Sequence, residues 1–395
     1  MQPLYLDYAA ATPVDPQVIA AMQPYFAEQF YNPSALYQAA HDVRKAIEQA
    51  RVTAAGYLGA RPAEIVFTAG GSEANNLAIH GVMRHAANSA SAPSATSYSS
   101  PVGRPNLLVS SIEHDSVLAT AAQYDHKLMP VTEQGIIDLT ALPSLIDDQT
   151  VLISAMYANN EIGTIQPIRE IAALLATVRR DRRARAVSTP LYLHVDGAQA
   201  ANYLDLQVSR LGADLLSLNG GKIYGPKQSG LLFVKAGITL EPLVYGGGQE
   251  RGLRSGTENV PGIIGFAKAL QIAQDMRRDE ARRLQDVQRH FFAALAEQIP
   301  SAIVNGSLKH RLPNNIHITL PGSDNERLIF GLDAAGIMAA AGSACSASSE
   351  TPSHVLKALG LSETSARASL RFTLGRPTTT ADIDRLLAVL KTLIA

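Results

Sequence analysis

Short apolar runs alternate with segments of helical periodicity from the start of the chain to about residue 260. Such runs are typical of strands buried in a sheet, and the intervening segments are typical of helices that cover it. The pattern therefore predicts an α/β fold with a mainly parallel sheet covered by helices. The predicted strands are residues 64–68, 106–110, 151–156, 191–196, 215–217 and 230–234, and the predicted helices include 34–58 and 168–179.

The pattern changes after Asn259, where longer helical segments replace the alternation. We expect a large domain of residues 15–260 and a smaller α+β domain formed by residues 1–14 together with 261–395. The elements predicted for the smaller domain are helix 263–297, strands near 314–320 and 369–373, and a final helix 381–394.

Two irregular stretches interrupt this organisation. Residues 88–105 are rich in Ser, Ala and Pro, and residues 179–190 contain the basic run RRDRRARA. Both compositions favour exposed loops or solvated helix ends over a functional role.

Composition and charge narrow the class of protein. With 395 residues, 46% of them hydrophobic and 17% charged, the chain resembles a globular enzyme with substantial cores. A net charge of -1 gives no reason to expect nucleic acid as a direct partner. The chain has no long apolar run and no basic leader, so we expect a cytoplasmic protein without membrane contact. Its single cysteine, Cys345, cannot form an internal disulfide and is expected to be a free thiol.

Two segments place reactive groups where a ligand would bind. In LHVDGAQ, Asp196 ends an apolar strand and Gln199 follows it, and ligands of open α/β sheets bind beyond the carboxyl ends of strands. An Asp at this position could equally cap the next helix. In LNGGKIYGPKQSG, glycines and a proline constrain Lys222, as a Schiff-base lysine requires, with Lys227 as the local competitor.

Nine segments in order, from Tyr5 to Arg376, resemble the cysteine desulfurase family, a group of fold-type I enzymes that use pyridoxal 5'-phosphate (PLP). The resemblance covers nearly the whole chain and implies a large PLP-binding domain with a smaller α+β domain. The segments are YLDYAAATPV, TAGGSEANNLAI, SSIEHDSVL, YANNEIGTIQPI, HVDGAQ, GGKIYGPK, GGGQERGLRSGTENV, AAGSACSAS and LRFTLGR.

The resemblance implies a role in cofactor binding for several side chains. Lys222 would form the Schiff base with PLP, Asp196 would pair with the pyridine nitrogen, and Gln199 would bond the phenolic oxygen. His114 would stack on the ring face as a further catalytic residue, although a satisfied histidine at a strand end is the simpler alternative.

The resemblance also implies how the phosphate is held. Gly71 and Ser72 open a helix whose N–H groups can receive an anion, and Asn219 could donate one hydrogen bond. Thr257 would reach the phosphate of a neighbouring subunit, which implies a homodimer with shared active sites.

The implied reaction removes sulfur from L-cysteine. Asn160 and Arg371 would bind the substrate carboxylate, because a planar guanidinium matches a carboxylate, with a structural ion pair as the alternative for Arg371. Cys345 would then take the sulfur as a persulfide and release L-alanine. The acceptor of that sulfur would be a scaffold protein for iron–sulfur cluster assembly or a tRNA-thiolating enzyme. No metal is implied.

The match departs from the family beside the Schiff-base lysine. The family usually has His immediately before that lysine and a hydroxyl residue two positions earlier, where this chain has Gly221 and Asn219. Two other interpretations therefore stay open: a related PLP transaminase or lyase in which Cys345 is incidental, and a weakened homologue that binds but does not turn over.

Overall fold

The computed structural model describes residues 3–91, 103–342 and 353–394. The strands are β1 (Leu4–Tyr5), β2 (Ile65–Thr68), β3 (Asn106–Ser110), β4 (His126–Met129), β5 (Thr150–Met156), β6 (Tyr192–Asp196), β7 (Leu215–Asn219), β8 (Gly230–Val234), β9 (Ile303–Val304), β10 (Asn315–Thr319), β11 (Ile337–Met338) and β12 (Ser369–Thr373). The helices are α1 (Pro16–Met22), α2 (Pro24–Ala27), α3 (Gln38–Leu58), α4 (Gly71–Ser91), α5 (Asp115–Ala121), α6 (Leu142–Leu145), α7 (Ile168–Ala184), α8 (Val208–Leu211), α9 (Val260–Gln298), α10 (Asn325–Ala334), α11 (His354–Ala358), α12 (Glu363–Arg367) and α13 (Thr380–Ile394).

A seven-stranded sheet forms the centre of the molecule, in the order β2-β8-β7-β6-β5-β3-β4. Every neighbouring pair is parallel except the two that involve β8, which runs antiparallel to β2 and β7. Apolar clusters lie on both faces, because the inner strands are buried from end to end and helices cover each side. The predicted α/β architecture with a mainly parallel sheet is confirmed.

A second apolar core surrounds a smaller sheet in which β10 lies between β9 and β12. Helix α9 connects the two cores: its residues up to Ala273 pack in the first, and its residues from Leu284 pack in the second. Asn259 caps this helix, since its side chain accepts from the N–H of Gly262. The division into two domains at residue 260 stays a prediction.

The segment 5–12 lies between the two cores and is called the N-terminal segment below. On one side, the N–H of Ala9 donates to Thr373 Oγ1 at 2.9 Å, which attaches the segment to β12. On the other side, Thr12 Oγ1 donates to the carbonyl of Gly221 at 3.1 Å and accepts from the N–H of Tyr224 at 2.8 Å. The main chain here is therefore fixed relative to both sheets.

The basic run in 179–190 is a largely exposed helix end, as predicted, except at Arg182. Helix α7 continues through it to Ala184, and Arg182 is only 2% exposed. Its guanidinium donates to the carbonyl oxygens of Asp147 and Thr150 at 2.6 and 2.9 Å, so it joins the end of the helix to the start of β5. Of the other irregular stretch, residues 88–91 end α4 and residues 92–102 lie outside the described part of the chain.

No helix within the described ranges is both long and apolar enough to cross a membrane.

A buried ion pair fixes the loop that follows β8. Arg51 of α3 donates to both carboxylate oxygens of Glu250 at 2.8 Å, and Glu250 also accepts from the N–H of Phe67 at 2.9 Å. Glu250 and Arg251 both have positive φ angles, 47° and 58°, which non-glycine residues rarely adopt. The ion pair therefore stabilises a backbone conformation that is costly on its own.

We expect Arg51→Ala to destabilise the protein by about 3–5 kcal/mol, because it leaves the Glu250 carboxylate buried without its cation. The urea midpoint of unfolding measures this. Lys45→Ala in the same helix is the matched control: Lys45 pairs with Asp42 at 3.6 Å with side chains 76% and 57% exposed, so it should cost less than about 1 kcal/mol. Equal midpoints for the two variants would contradict this account.

Candidate active site

A cavity of about 240 Å³ lies where the parallel strands β5, β6 and β7 end. The carboxyl ends of parallel strands meet at one edge of a sheet, and ligands bind at that edge. Met156, Asp196 and Asn219 are the last residues of these strands and all face the cavity. The residues that line it are Ala9, Ala10, Gly71, Ser72, Asn75, His114, Ser116, Met156, Ala158, Asn160, Asp196, Ala198, Gln199, Asn219, Lys222 and Arg371.

Most of the site residues predicted from the sequence meet in this cavity. Those that do so are Lys222, His114, Gly71, Ser72, Asp196, Gln199, Asn219, Asn160 and Arg371. Thr257 does not line the cavity of its own chain and is exposed. Cys345 lies outside the described residues.

Lys222 reaches the cavity from a short helical turn directly after β7. Its Nζ donates to the carbonyl oxygens of Ala9 and Ala10 at 2.7 and 2.6 Å. The competitor Lys227 donates instead to the carbonyl of Thr12 at 2.5 Å and is not among the residues that line this cavity. The turn needs Gly220, because a Cβ there would lie 2.1 Å from Ser229 Oγ.

Asp196 is held by two donors. Its Oδ2 accepts from Asn75 Nδ2 at 2.7 Å, and its Oδ1 accepts from the N–H of Ala198 at 2.9 Å. The Asn75 amide also donates to Ser116 Oγ at 2.9 Å. Ser116 in turn donates its N–H to His114 Nδ1 at 3.1 Å, so the neutral imidazole carries its proton on Nε2. One polar network thus links the carboxylate to the imidazole.

Two fully buried titratable groups lie near Asp196, and both favour their neutral forms. Burial, together with the charge of Asp196, raises the pKa of Glu113 well above its usual value. Burial lowers the pKa of His194 to about 4, against the opposing effect of Asp196. The His194 ring bonds Ser154 and Ser217 at 2.8 and 2.9 Å. In their neutral forms, Glu113 and His194 therefore offer polar atoms near Asp196 without adding a charge.

The start of α4 has the features of an anion site. The first N–H groups of a helix have no partner within the helix, and Gly71 and Ser72 bring them to the cavity wall. A Cβ on Gly71 would lie 3.3 Å from the Asn219 Cβ, so a side chain there would crowd this wall. At Gly221, by contrast, no atom lies closer than 3.5 Å to an added Cβ, so the position of the family's usual His is open.

Arg371 is in a structural ion pair, one of its two predicted alternatives, and its role in binding a carboxylate stays a prediction. It is 1% exposed and lines the cavity, yet its Nη2 pairs with Asp7 Oδ1 at 2.6 Å. Its Nη1 donates to the carbonyl of Asn160 at 3.0 Å. Its Nε has no hydrogen-bond partner among the described residues, although it is buried. The guanidinium is therefore part of an ion pair and still has unused donor capacity.

These residues fit PLP by their chemistry. One cavity offers a primary amine for an aldehyde, a carboxylate for a ring nitrogen, an imidazole, and helix N–H groups for a phosphate.

The segment that leads to Cys345 starts beside Arg371. Residues 343–352 lie outside the described part of the chain. Ala340, shortly before them, bonds the main chain of Arg371 through both its N–H and its C=O.

Four polar residues in or beside the cavity were not singled out from the sequence: Asn75, Ser116, Glu113 and Asp7. The sequence does carry a signal for Asn75: it is a polar residue on the face of α4 that is otherwise apolar, and the structure buries it. The sequence carries no signal for Asp7, because its partner Arg371 is 364 residues away and no local pattern connects the two. Glu113 lies beside His114 in the quoted segment SSIEHDSVL, where its burial could not be foreseen.

Comparison with known proteins gives a consistent family. The model of the Aminotransferase class-V family matches residues 4–386. The cysteine desulfurase IscS of Clostridium botulinum is 37% identical over 398 residues, which cover 99% of this chain and 94% of that protein. The cysteine desulfurase IscS 1 of Archaeoglobus fulgidus is 40% identical over 392 residues, which cover 98% and 95%.

Solved structures agree with the sequence comparison. A NifS-like protein from Rickettsia africae superposes with a TM-score of 0.85 at 26% identity and covers 99% of each chain. A structure described as SspA in complex with cysteine gives a TM-score of 0.77 at 35% identity and covers 94% of this chain and 98% of that chain. The predicted fold-type I class is confirmed. Since the family match extends over nearly all of the sequence, the chain belongs to the cysteine desulfurase family of class-V aminotransferases, which are PLP enzymes.

Proposed function

We propose that this protein removes sulfur from L-cysteine, releases L-alanine, and carries the sulfur as a persulfide on Cys345. The observation that carries the proposal is that the amine of Lys222 and the guanidinium of Arg371 face one cavity. An amino acid needs both groups, one for its amine chemistry and one for its carboxylate. The relatives at 37 and 40% identity are cysteine desulfurases, which favours cysteine as the amino acid.

Four side chains would hold the cofactor. Lys222 would bind the aldehyde carbon, Asp196 the ring nitrogen, Gln199 the phenolic oxygen, and His114 the ring face. When bound, PLP supplies an electron sink that stabilises negative charge at the α-carbon of the substrate. Asp196 supports that role, because a carboxylate next to the ring nitrogen favours its protonated form.

Lys222 would also handle the substrate proton. Once its amine is free of the cofactor, Nζ can accept the proton from the substrate α-carbon. The carbonyl oxygens of Ala9 and Ala10, at 2.7 and 2.6 Å, are placed to accept hydrogen bonds from the ammonium group that results. The proton would stay at Nζ within the cavity.

The sulfur-transfer step needs no added oxidant, because the carbon that loses the sulfur is reduced as the persulfide forms. The thiolate of Cys345 attacks the substrate sulfur, a new S–S bond forms, and the bond between that sulfur and the substrate β-carbon breaks. The β-carbon takes up a proton and the product leaves as alanine. Cys345 is five positions after Ala340, and five residues of chain span at most about 18 Å, which limits how far its main chain can lie from Arg371.

The partner proteins follow from the same proposal. Thr257 is exposed and lies outside the cavity of its own chain, which favours a role at the phosphate of a second copy in a homodimer. The persulfide would pass to a sulfur-acceptor protein, either a scaffold for iron–sulfur clusters or a tRNA-thiolating enzyme.

The purified protein with PLP is expected to release alanine and sulfide in equal amounts from L-cysteine and a thiol reductant. Cys345→Ala should lose both products and keep the visible absorbance of the cofactor, because the cofactor site is intact. Lys222→Ala should lose that absorbance. Ser346→Ala, one residue from the cysteine, is the matched control and should keep both products. Sulfide release that survives Cys345→Ala at the wild-type rate would instead favour a lyase.

Asn75→Ala is expected to weaken PLP binding by roughly tenfold, because Asp196 loses a 2.7 Å hydrogen bond from a buried amide. Titration of the apoprotein with PLP, followed by visible absorbance, gives the dissociation constant. Asn76→Ala is the control, since Asn76 donates only to main-chain oxygens, those of Ser72 and Ser116. The proposed role of Asn75 fails if all three proteins bind PLP equally well.

A further inference from the structure

Asp7 is the counter-ion of Arg371 and does not itself line the cavity. The carboxylate bonds Arg371 Nη2 at 2.6 Å, but Asp7 is not among the residues that line the cavity, whereas Arg371 is. The side chain of Arg371 is 1% exposed and that of Asp7 is 19% exposed. Within the described residues, Asp7 is the only acidic side chain in an ion pair with Arg371.

The main chain fixes Asp7 in this position. Its carbonyl accepts from the Tyr5 hydroxyl at 2.8 Å, and the same hydroxyl bonds the carbonyl of Ala11 at 3.0 Å. The N–H of Thr373, two residues from Arg371 on β12, donates to the carbonyl of Leu6 at 2.7 Å. The main chain around Asp7 is therefore bonded directly to β12, the strand that carries Arg371, so Asp7 cannot easily withdraw when a ligand arrives.

The remaining donors of Arg371 point to a second anion. A guanidinium has five N–H groups, and the contacts of Arg371 with Asn160 and Asp7 take one on each Nη. Among the described residues, this leaves further Nη donors besides the buried, unpaired Nε. A carboxylate that takes these donors would share one guanidinium with Asp7. Two carboxylates on one cation repel each other, and in a partly buried site this repulsion is screened less than in water.

We propose that Asp7 is a positioning residue that sets, and lowers, the affinity of the cavity for the carboxylate of an amino acid. It orients the guanidinium through Nη2 and at the same time neutralises part of its charge. The proposal deepens the function given above and rests on Arg371 as the carboxylate-binding group. Its consequence is weak retention of L-alanine, the product, whose methyl side chain offers the cavity no further polar group to hold.

The test compares ligands with and without a carboxylate. L-Alanine and ethylamine differ only by that group, and the holoprotein reports the binding of each through a change in its visible absorbance. Asp7→Asn keeps an acceptor for Nη2 and removes the charge. We expect it to lower the dissociation constant for L-alanine about tenfold and to leave that for ethylamine unchanged. The KM for L-cysteine should fall without a rise in kcat.

Three further variants keep the test decisive. Asp7→Ser is a second neutral variant and should also bind L-alanine more tightly than wild type does. Asp7→Glu keeps the negative charge, so its dissociation constant for L-alanine should lie close to that of wild type. Asp15→Asn is the matched control: Asp15 pairs with Arg376 at 2.6 Å, and neither residue lines the cavity. It should leave both dissociation constants unchanged.

The outcomes separate this proposal from the proposed function. The proposed role of Asp7 is wrong if the neutral variants bind L-alanine no more tightly than wild type does. It is also wrong if they bind ethylamine more tightly by the same factor as L-alanine. If wild type binds L-alanine no better than ethylamine, the carboxylate site itself is wrong. If the ligand pattern is as expected but L-cysteine gives no sulfide, the desulfurase function fails and the role of Asp7 stands.

Discussion

The N-terminal segment, residues 5–12, is the contact on which the arrangement of the site depends. Its carbonyl oxygens at Ala9 and Ala10 hold the Lys222 amine, and its Asp7 holds the Arg371 guanidinium. Lys222 follows a strand of the large sheet, and Arg371 lies on a strand of the small one. The amine and the guanidinium thus reach one cavity because a single stretch of main chain is bonded both to β12 and to the turn that follows β7. A shift of this segment would move both groups at once.

The large sheet supplies the second constraint, a charge held among neutral neighbours. Asp196 ends β6, where Asn75 and the N–H of Ala198 hold its two oxygens. Glu113 and His194 lie close by, and burial favours the neutral form of each. A charge on Glu113 or His194 would disturb the pairing of the Asp196 carboxylate with a protonated ring nitrogen. The neutral forms of Glu113 and His194 add no further charge beside Asp196, which is consistent with a cofactor role for it.

Much of the fold and of the site could be predicted, for physical reasons that differ by element. Strands β3, β8 and β12 have the predicted bounds because they are buried throughout: β3 and β8 contain short apolar runs, and β12, with the sequence SLRFT, alternates apolar with polar residues. Strand β4 was missed, since an edge strand with His126 and Lys127 has only one buried residue. Arg182 was wrongly expected in solvent, because composition cannot show that a guanidinium will meet several carbonyl oxygens. Asp7 and Arg371 meet only through tertiary structure, so no local pattern could pair them.

The central claim is that Lys222 carries the cofactor at this cavity, and reductive trapping tests it most directly. Borohydride reduction of the PLP-loaded protein fixes the cofactor to its lysine, and mass spectrometry of the peptides locates the added pyridoxyl group. The account predicts this group on Lys222 alone, since Lys222 faces the cavity while Lys227 bonds the carbonyl of Thr12 outside it. A pyridoxyl group on Lys227 or on another lysine, with Lys222 unmodified, would contradict it.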